Sequence, residues 1–265
     1  MPITRTKAGG FTISNSDAEG FSPLLLARIL GILGLAGILT GAFDIGYVQS
    51  TLVVAGNPSA TLHNILAHET LFRLGFASHL FELLLNIPGE IIGFILLRRV
   101  NGIVAAVALC CGIVGVSIEA VDLLSAYVPL KLAIEGSALG AFNPEQLHAL
   151  SYLSAQLQQA GLLLSWVFYG IDELATGFLF FRSGFLPRVL GVLLGISGFC
   201  YFTHGFLSFL APSLDARLYP YILFPCLPGE GLSSLWLAMK GVNVAKWRAW
   251  TTEPGGEVSL QLPAP

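Results

Sequence analysis

Charge is what this chain has least of. Asp, Glu, Lys and Arg make up 11% of its 265 residues, against about 25% in a typical soluble domain. With 54% hydrophobic residues and a mean hydropathy of +0.75, that scarcity excludes a soluble globular domain and makes the chain an integral membrane protein. A basic tract is also missing and the net charge is only −3, so no nucleic-acid partner is expected. Cysteine is sparse: Cys110, Cys111, Cys200 and Cys226 sit inside apolar runs without metal-ligand spacing and read as small buried hydrophobes. The sequence has no Walker A loop, G-x-S-x-G elbow, H-E-x-x-H helix or C-x-x-C pair. Those absences argue against nucleotide hydrolysis and against familiar serine, zinc-protease or dithiol chemistry. No cofactor is implied, and residues 1–22 lack the basic, apolar and small-residue succession of a signal peptide.

Long apolar runs are what is there. Six are expected to span a membrane: about Leu24 to Phe43, a second ending at Leu97, Gly102 to Leu124, a fourth ending at Phe181, Leu186 to Leu210, and Tyr219 to Met239. The stretch from Leu62 to Leu97 exceeds the roughly 20 residues of one crossing, so its first turns should project from the bilayer. Pro129, Lys131 and Asn143-Pro144 are read as part of a longer link. The expected fold class is all-α, a polytopic bundle of six transmembrane helices over residues 23–242. Residues 1–22 and 243–265 are expected to be cytoplasmic tails, with Trp247 and Trp250 as interfacial anchors.

Orientation follows from the basic residues. Arg28, Arg98, Arg99, Arg182, Arg188, Lys240, Lys246 and Arg248 fall on the side shared by both chain ends, while only Lys131 and Arg217 fall opposite. The positive-inside rule makes both termini of this cell-membrane protein cytoplasmic. The chain also repeats itself. Arg28-Ile29-Leu30-Gly31, Arg99-Val100-Asn101-Gly102 and Arg188-Val189-Leu190-Gly191 each open an outgoing span, and Glu90, Glu173 and Glu230 precede the basic ends of the returning ones. Three tandem hairpins about a pseudo-threefold axis would explain this.

A polar stripe marks the second span. At roughly 100° per residue, His68, Phe72, Gly75, His79, Glu82, Asn86 and Glu90 share one face. Ionisable groups facing lipid cost several kcal/mol each, so this face should line an enclosed or watery cavity. Glu119 and Asp122 are i,i+3 neighbours on the third span, and Gln158, Ser165, Tyr169, Asp172 and Thr176 share a face of the fourth. Arg73, the one internal cation, is placed to pair with Glu69 at i+4.

At these residues a family resemblance emerges. Glu69 to Gly75, Arg182 to Leu194, Gly229-Glu230, Leu235-Trp236-Leu237 and Lys240-Gly241 resemble the DUF4386 family of six-helix bacterial membrane proteins, over about Ala27 to Val242. The family has no established activity, so the resemblance implies topology and not chemistry. Its pattern often has Asp where this chain has His79 and His204, and His where it has Gln158 and Asp172, which implies a specialised cavity here.

Membrane-embedded acids outnumber bases, so they are balanced by protons, a bound cation, a metal or protons in transit. The favoured expectation is an enzyme performing acid/base isomerisation or cyclisation on a lipophilic small molecule or lipid. His79, Glu82, Glu119, Asp122, Asp172, His204 and Glu230 are its candidate catalytic residues; His79, Glu82, Glu119, Asp122 and His204 gather toward one depth, while Glu90, Glu173 and Glu230 lie deeper. Phe72, Phe76, Trp166, Tyr169 and Tyr201 are its candidate substrate contacts. The alternatives are a proton- or cation-coupled carrier, with Pro88 and Pro228 as hinges, and a lipid-binding protein without turnover. His79, Glu82, His204 and Asp172 have ligand types suited to a metal, but they form no metal motif.

Overall fold

Proline decides where several helices begin. Pro23, Pro58, Pro144 and Pro212 each occupy the first turn of a helix, where the missing N–H would be unpaired anyway. Asn57 caps its helix by accepting from Ala60 N at 3.0 Å. Asn143 forms a reciprocal capping box with Gln146, both bonds being 2.9 Å.

The computed structural model describes residues 4–5, 11–12, 22–54, 56–135 and 143–250. Among them the helices are α1 (Pro23–Gly41), continued by a π-helical stretch (Ala42–Gln49) and α2 (Ser50–Leu52), then α3 (Pro58–Ala67), α4 (Glu69–Leu97) and α5 (Gly102–Glu135). There follow α6 (Pro144–Ser183), α7 (Arg188–Leu210), α8 (Pro212–Leu218), a 3₁₀ turn (Tyr221–Leu223), α9 (Cys226–Met239) and α10 (Val244–Ala249). Among the described residues extended structure is limited to a pairing of Thr4–Arg5 with Phe11–Thr12. The rest of both expected tails lies outside the described residues.

Six helical segments are long and apolar enough to cross a membrane: Pro23–Leu52, Glu69–Leu97, Gly102–Leu132, Glu145–Ser183, Arg188–Leu210 and Tyr221–Met239. The protein is therefore an all-α multi-pass membrane bundle. Several boundaries differ from the sequence reading, the first span among them, which runs past Phe43 to Leu52. The overlong Leu62 to Leu97 stretch is two helices broken at His68, whose backbone (φ −125°, ψ 41°) leaves the helical region. The third span does not stop near Leu124 but runs through Pro129 and Lys131, because α5 continues beyond the apolar run.

The spans form a ring. Each of α1, α4, α5, α6, α7 and α9 packs on the helix before and after it, and α9 closes back on α1. Glycine permits the tightest of these contacts. Gly170 and Gly177 on α6 face Gly191, Gly198 and Gly205 on α7 across an antiparallel seam: a Cβ added to Gly198 would lie 2.7 Å from both Gly170 O and Leu174 N. Gly31 and Gly34 of α1 serve the same purpose against Ser234 and Ala238 of α9.

One end of the ring is plugged. Ala27, Leu97, Phe180, Leu194, Leu237 and Trp247 belong to one buried cluster, and Arg98, Arg99, Arg182 and Arg188 flank it in sequence. We call this the basic end. The expectation that Trp247 is an interfacial anchor in a tail is corrected here. Trp247 is 6% exposed, donates from Nε1 to Leu96 O at 3.0 Å and lies under the Arg99 guanidinium at 3.7 Å. These contacts dock α10 onto the bundle. Trp247→Ala should cost about 3–5 kcal/mol locally and release α10. Limited trypsin digestion should then cut at Lys246 and Arg248 much faster than in the parent, and equal cutting rates would refute the docking.

Candidate functional site

The ring encloses a cavity of about 590 Å³. On α4 its wall runs from Glu82 to Leu97, and on the α1 side from Leu30 to Gly46. At 1.5 Å per residue that is a shaft-like cavity about 22 Å long. The floor at the basic end is blind, because Leu97, Ala105, Phe180, Leu194 and Leu237 belong both to the lining and to the packed core. At the other end Ile45, Gly46 and Leu227 are lining residues that are also exposed. The mouth thus lies between the π-helical stretch and the start of α9.

Six carboxyl groups line the shaft: Glu82, Glu90, Glu119, Asp172, Glu173 and Glu230. The stripe seen on α4 accounts for two of them, since Glu82, Asn86 and Glu90 all face the cavity. Nearer the floor, Glu90 lies within hydrogen-bonding reach of Asp172, and Glu173 within reach of Glu230. Two carboxyls can bond directly only through a shared proton, since like charges at that separation do not both persist. Thr176 Oγ1 donates to Asp172 Oδ1 at 3.2 Å, and Tyr201 OH donates to Glu230 Oε1 at 2.6 Å.

Behind the wall on the mouth side is a buried relay. His79 is 3% exposed, with Nδ1 2.9 Å from Asp44 Oδ2 and Nε2 3.1 Å from Glu119 Oε1. Two hydrogen bonds among three groups hold two protons, so the triad carries one net negative charge however those protons are placed. Its ends are satisfied: Gln49 Nε2 donates to Asp44 Oδ2 at 3.0 Å, and Tyr169 OH donates to Glu119 Oε2 at 2.9 Å. The π-helix explains Asp44, because its i,i+5 repeat aligns Asp44 with Gln49 and turns Asp44 and Val48 inward. Gly75 admits them, since a Cβ there would lie 2.7 Å from Asp44 Oδ1 and from Val48 Cγ1.

The candidate catalytic residues do not form one cluster. Glu82, Glu119, Asp172 and Glu230 line the shaft, and His79 reaches it only through Glu119. Asp122 is buried against Gly161 of α6. His204 sits behind Trp166, with ring centroids 5.3 Å apart, and its Nδ1 is 2.5 Å from Asp215 Oδ1. His204 is thus held by a carboxyl partner off the shaft, and His79 by one partner off it, Asp44, and one on it, Glu119. Among the described residues no group of three or more His, Cys, Asp or Glu is arranged to hold a metal ion, and the set His79, Glu82, His204 and Asp172 is divided among separate groupings.

Of the expected substrate contacts, Trp166, Tyr169 and Tyr201 line the shaft. Phe72 and Phe76 do not: they pack on Tyr127 at 6.5 and 5.3 Å, in satellite cores toward the mouth end. The Glu69–Arg73 pair forms at 2.7 Å, and Arg73 also donates to Tyr127 OH at 3.0 Å. Of the proposed hinges, Pro228 falls in the first turn of α9, where no backbone bond is lost, and α4 runs through Pro88 without interruption. Sequence reasoning places Asp44 with the polar groups of the outer half but does not name it as a site residue, and it misses Asp215, whose only signal is an acid next to an apolar run.

Comparison with known proteins adds kinship but no chemistry. A protein of Archaeoglobus fulgidus described as uncharacterized is 30% identical over 83 residues, which are 31% of this chain and 48% of that relative. The chain thus matches about half the length of that curated relative. No solved structure matches. The profile described as a domain of unknown function, DUF4386, matches residues 29–241, which is most of the chain, and the protein belongs to the DUF4386 family.

Proposed function

We propose that the shaft is the active site of an intramembrane enzyme that performs acid/base isomerisation or cyclisation on a lipophilic, single-chain substrate. The observation that carries this reading is an elongated cavity, floored by the packed core, whose wall sets paired carboxyl groups beside aromatic faces. A channel needs two mouths, and here the packed core closes one end. In the step proposed, a protonated carboxyl gives its proton to a carbon–carbon double bond. The resulting carbocation is held between Trp166, Tyr169, Tyr201 and the remaining carboxylates. A second carboxylate then takes a proton from the neighbouring carbon, so the double bond moves or a ring closes and the proton count is restored. Glu230 and Glu173 are the best-placed donor pair, with Tyr201 fixing Glu230. His79 acts through Glu119 as a positioning residue.

One observation favours a second reading, a proton-coupled carrier: the acids extend from Glu82 near the mouth to Glu230 deeper in the shaft. Deuterium separates the two readings. Proteoliposomes in D₂O, supplied with an unsaturated lipid extract, should incorporate deuterium at non-exchangeable carbon. Glu230→Gln should lower the rate about 10²- to 10⁴-fold. A pH gradient that collapses on lipid addition, with no deuterium in any lipid, would reject the enzyme in favour of the carrier. With both termini cytoplasmic, as the basic end suggests, the mouth faces the outer half of the bilayer.

A further inference from the structure

The shaft is built for positive charge. None of its lining residues is Lys, Arg or His. Six carboxyl groups share the wall instead: the pairs Glu90/Asp172 and Glu173/Glu230, with Glu82 and Glu119 beside them. The aromatic residues Trp166, Tyr169 and Tyr201 join the same wall, with Trp166 and Tyr201 ring centroids 5.4 Å apart. A carboxylate-flanked aromatic wall is the usual surrounding of a desolvated organic cation.

A second, independent feature points to an occupant. Ser233 is 4% exposed, its hydroxyl has no partner among the described residues, and it lines the cavity. Glu82 Oε2 is likewise shut off from solvent and unpartnered. Buried polar atoms are almost always satisfied, so these two mark the wall as shaped around a ligand. Glycines make room for two of these acids. A Cβ at Gly41, on the wall, would lie 2.8 Å from Glu82 Oε2, and one at Gly112, outside the lining, would collide with the Glu90 carboxyl. Bare backbone therefore seats the acids without covering them.

We propose that the shaft binds a lipophilic organic cation, a single alkyl chain ending in an ammonium group, with the chain along the shaft and the head among Glu82, Glu173, Glu230 and the three aromatic rings. This rests on the reading of the shaft as a lipophilic binding site and names the charge of its ligand. Primary, tertiary and quaternary amines share the required chemistry. The Ser233 hydroxyl accepts from an N–H head and lies idle beside a quaternary one.

Equilibrium binding to protein in nanodiscs, corrected with empty discs, tests this with three probes of equal chain length: dodecyltrimethylammonium, dodecanol and dodecanoate. The ammonium should bind about tenfold or more tighter than dodecanol, and dodecanoate weakest. In the Glu173→Gln/Glu230→Gln double variant the ammonium should fall to the affinity of dodecanol, while dodecanol itself is unchanged, which shows that the shaft remains folded. Dodecylamine should lose further affinity in Ser233→Ala, whereas the trimethylammonium probe should not. Equal binding of ammonium and alcohol, a preference that survives the double variant, or no ammonium binding at all overturns the proposal. If dodecanol binds and deuterium still enters a neutral lipid, only the cation is rejected and the enzyme stands. If the ammonium binds but no lipid is converted, the enzyme fails and the cation site stands.

Discussion

Gly198→Ala should destabilise the protein far more than Gly195→Ala, although the two glycines lie one turn apart on the same helix. A methyl at Gly198 meets Gly170 O and Leu174 N at 2.7 Å, whereas one at Gly195 meets nothing within 4 Å. Backbone atoms of a packed helix cannot move aside as a flexible side chain can, so α6 and α7 must separate along their whole seam. Overpacking of this kind costs about 1–3 kcal/mol, and a β-branched residue at the same place costs more. At Gly195 the substitution removes glycine's entropic penalty and should be neutral, or stabilising by up to about 1 kcal/mol. Thermal unfolding in one fixed detergent reads both variants. Equal melting temperatures would show that the glycine seam is not a close backbone contact.

The second large effect is expected at His79. His79→Leu takes away the group that binds Asp44 and Glu119 together and leaves two buried acids without their shared partner. Removing one member of a buried charged network costs about 3–5 kcal/mol, because what remains is uncompensated. Neutralising the remnants should reverse much of this: the triple variant Asp44→Asn/His79→Leu/Glu119→Gln should be more stable than His79→Leu alone. That inversion, in which two further substitutions restore stability, is the signature of a charge network and not of simple packing. Additive losses across the three positions would contradict it. Tyr169→Phe offers a milder check, since it removes only the 2.9 Å bond to Glu119 Oε2 and should cost about 1–2 kcal/mol.

The family profile and the ring of spans agree on architecture, and the reason lies in how little a membrane helix leaves to choice. A bilayer forces each apolar run of sufficient length into a helix and forces its rare acids inward. Both consequences can be read along a single segment. Asn57-Pro58 and Asn143-Pro144, which read along the chain as links, are capped helix starts in the structure, because a cap is recognised only once the helix it opens is known. The 3.6-residue period placed Glu82, Asn86 and Glu90 on one face of α4, and that face does border the cavity.

Partnership between segments was not legible in the same way. The sequence alone determined that six helices would carry a set of inward acids and that basic residues would collect at one end, because hydropathy, period and charge are properties of one helix at a time. Only the tertiary structure decided which acid meets which. It turned the two imbedded histidines onto carboxyl partners, His79 toward Asp44 and Glu119 and His204 toward Asp215. It brought Trp247 back from an expected tail to seal the floor. A helix period fixes which residues share a face, but the rotation of that face toward one neighbour or another depends on how closely the helices approach. Here that approach is set by glycines such as Gly75 and Gly198, whose role is visible only against the neighbouring helix that they admit.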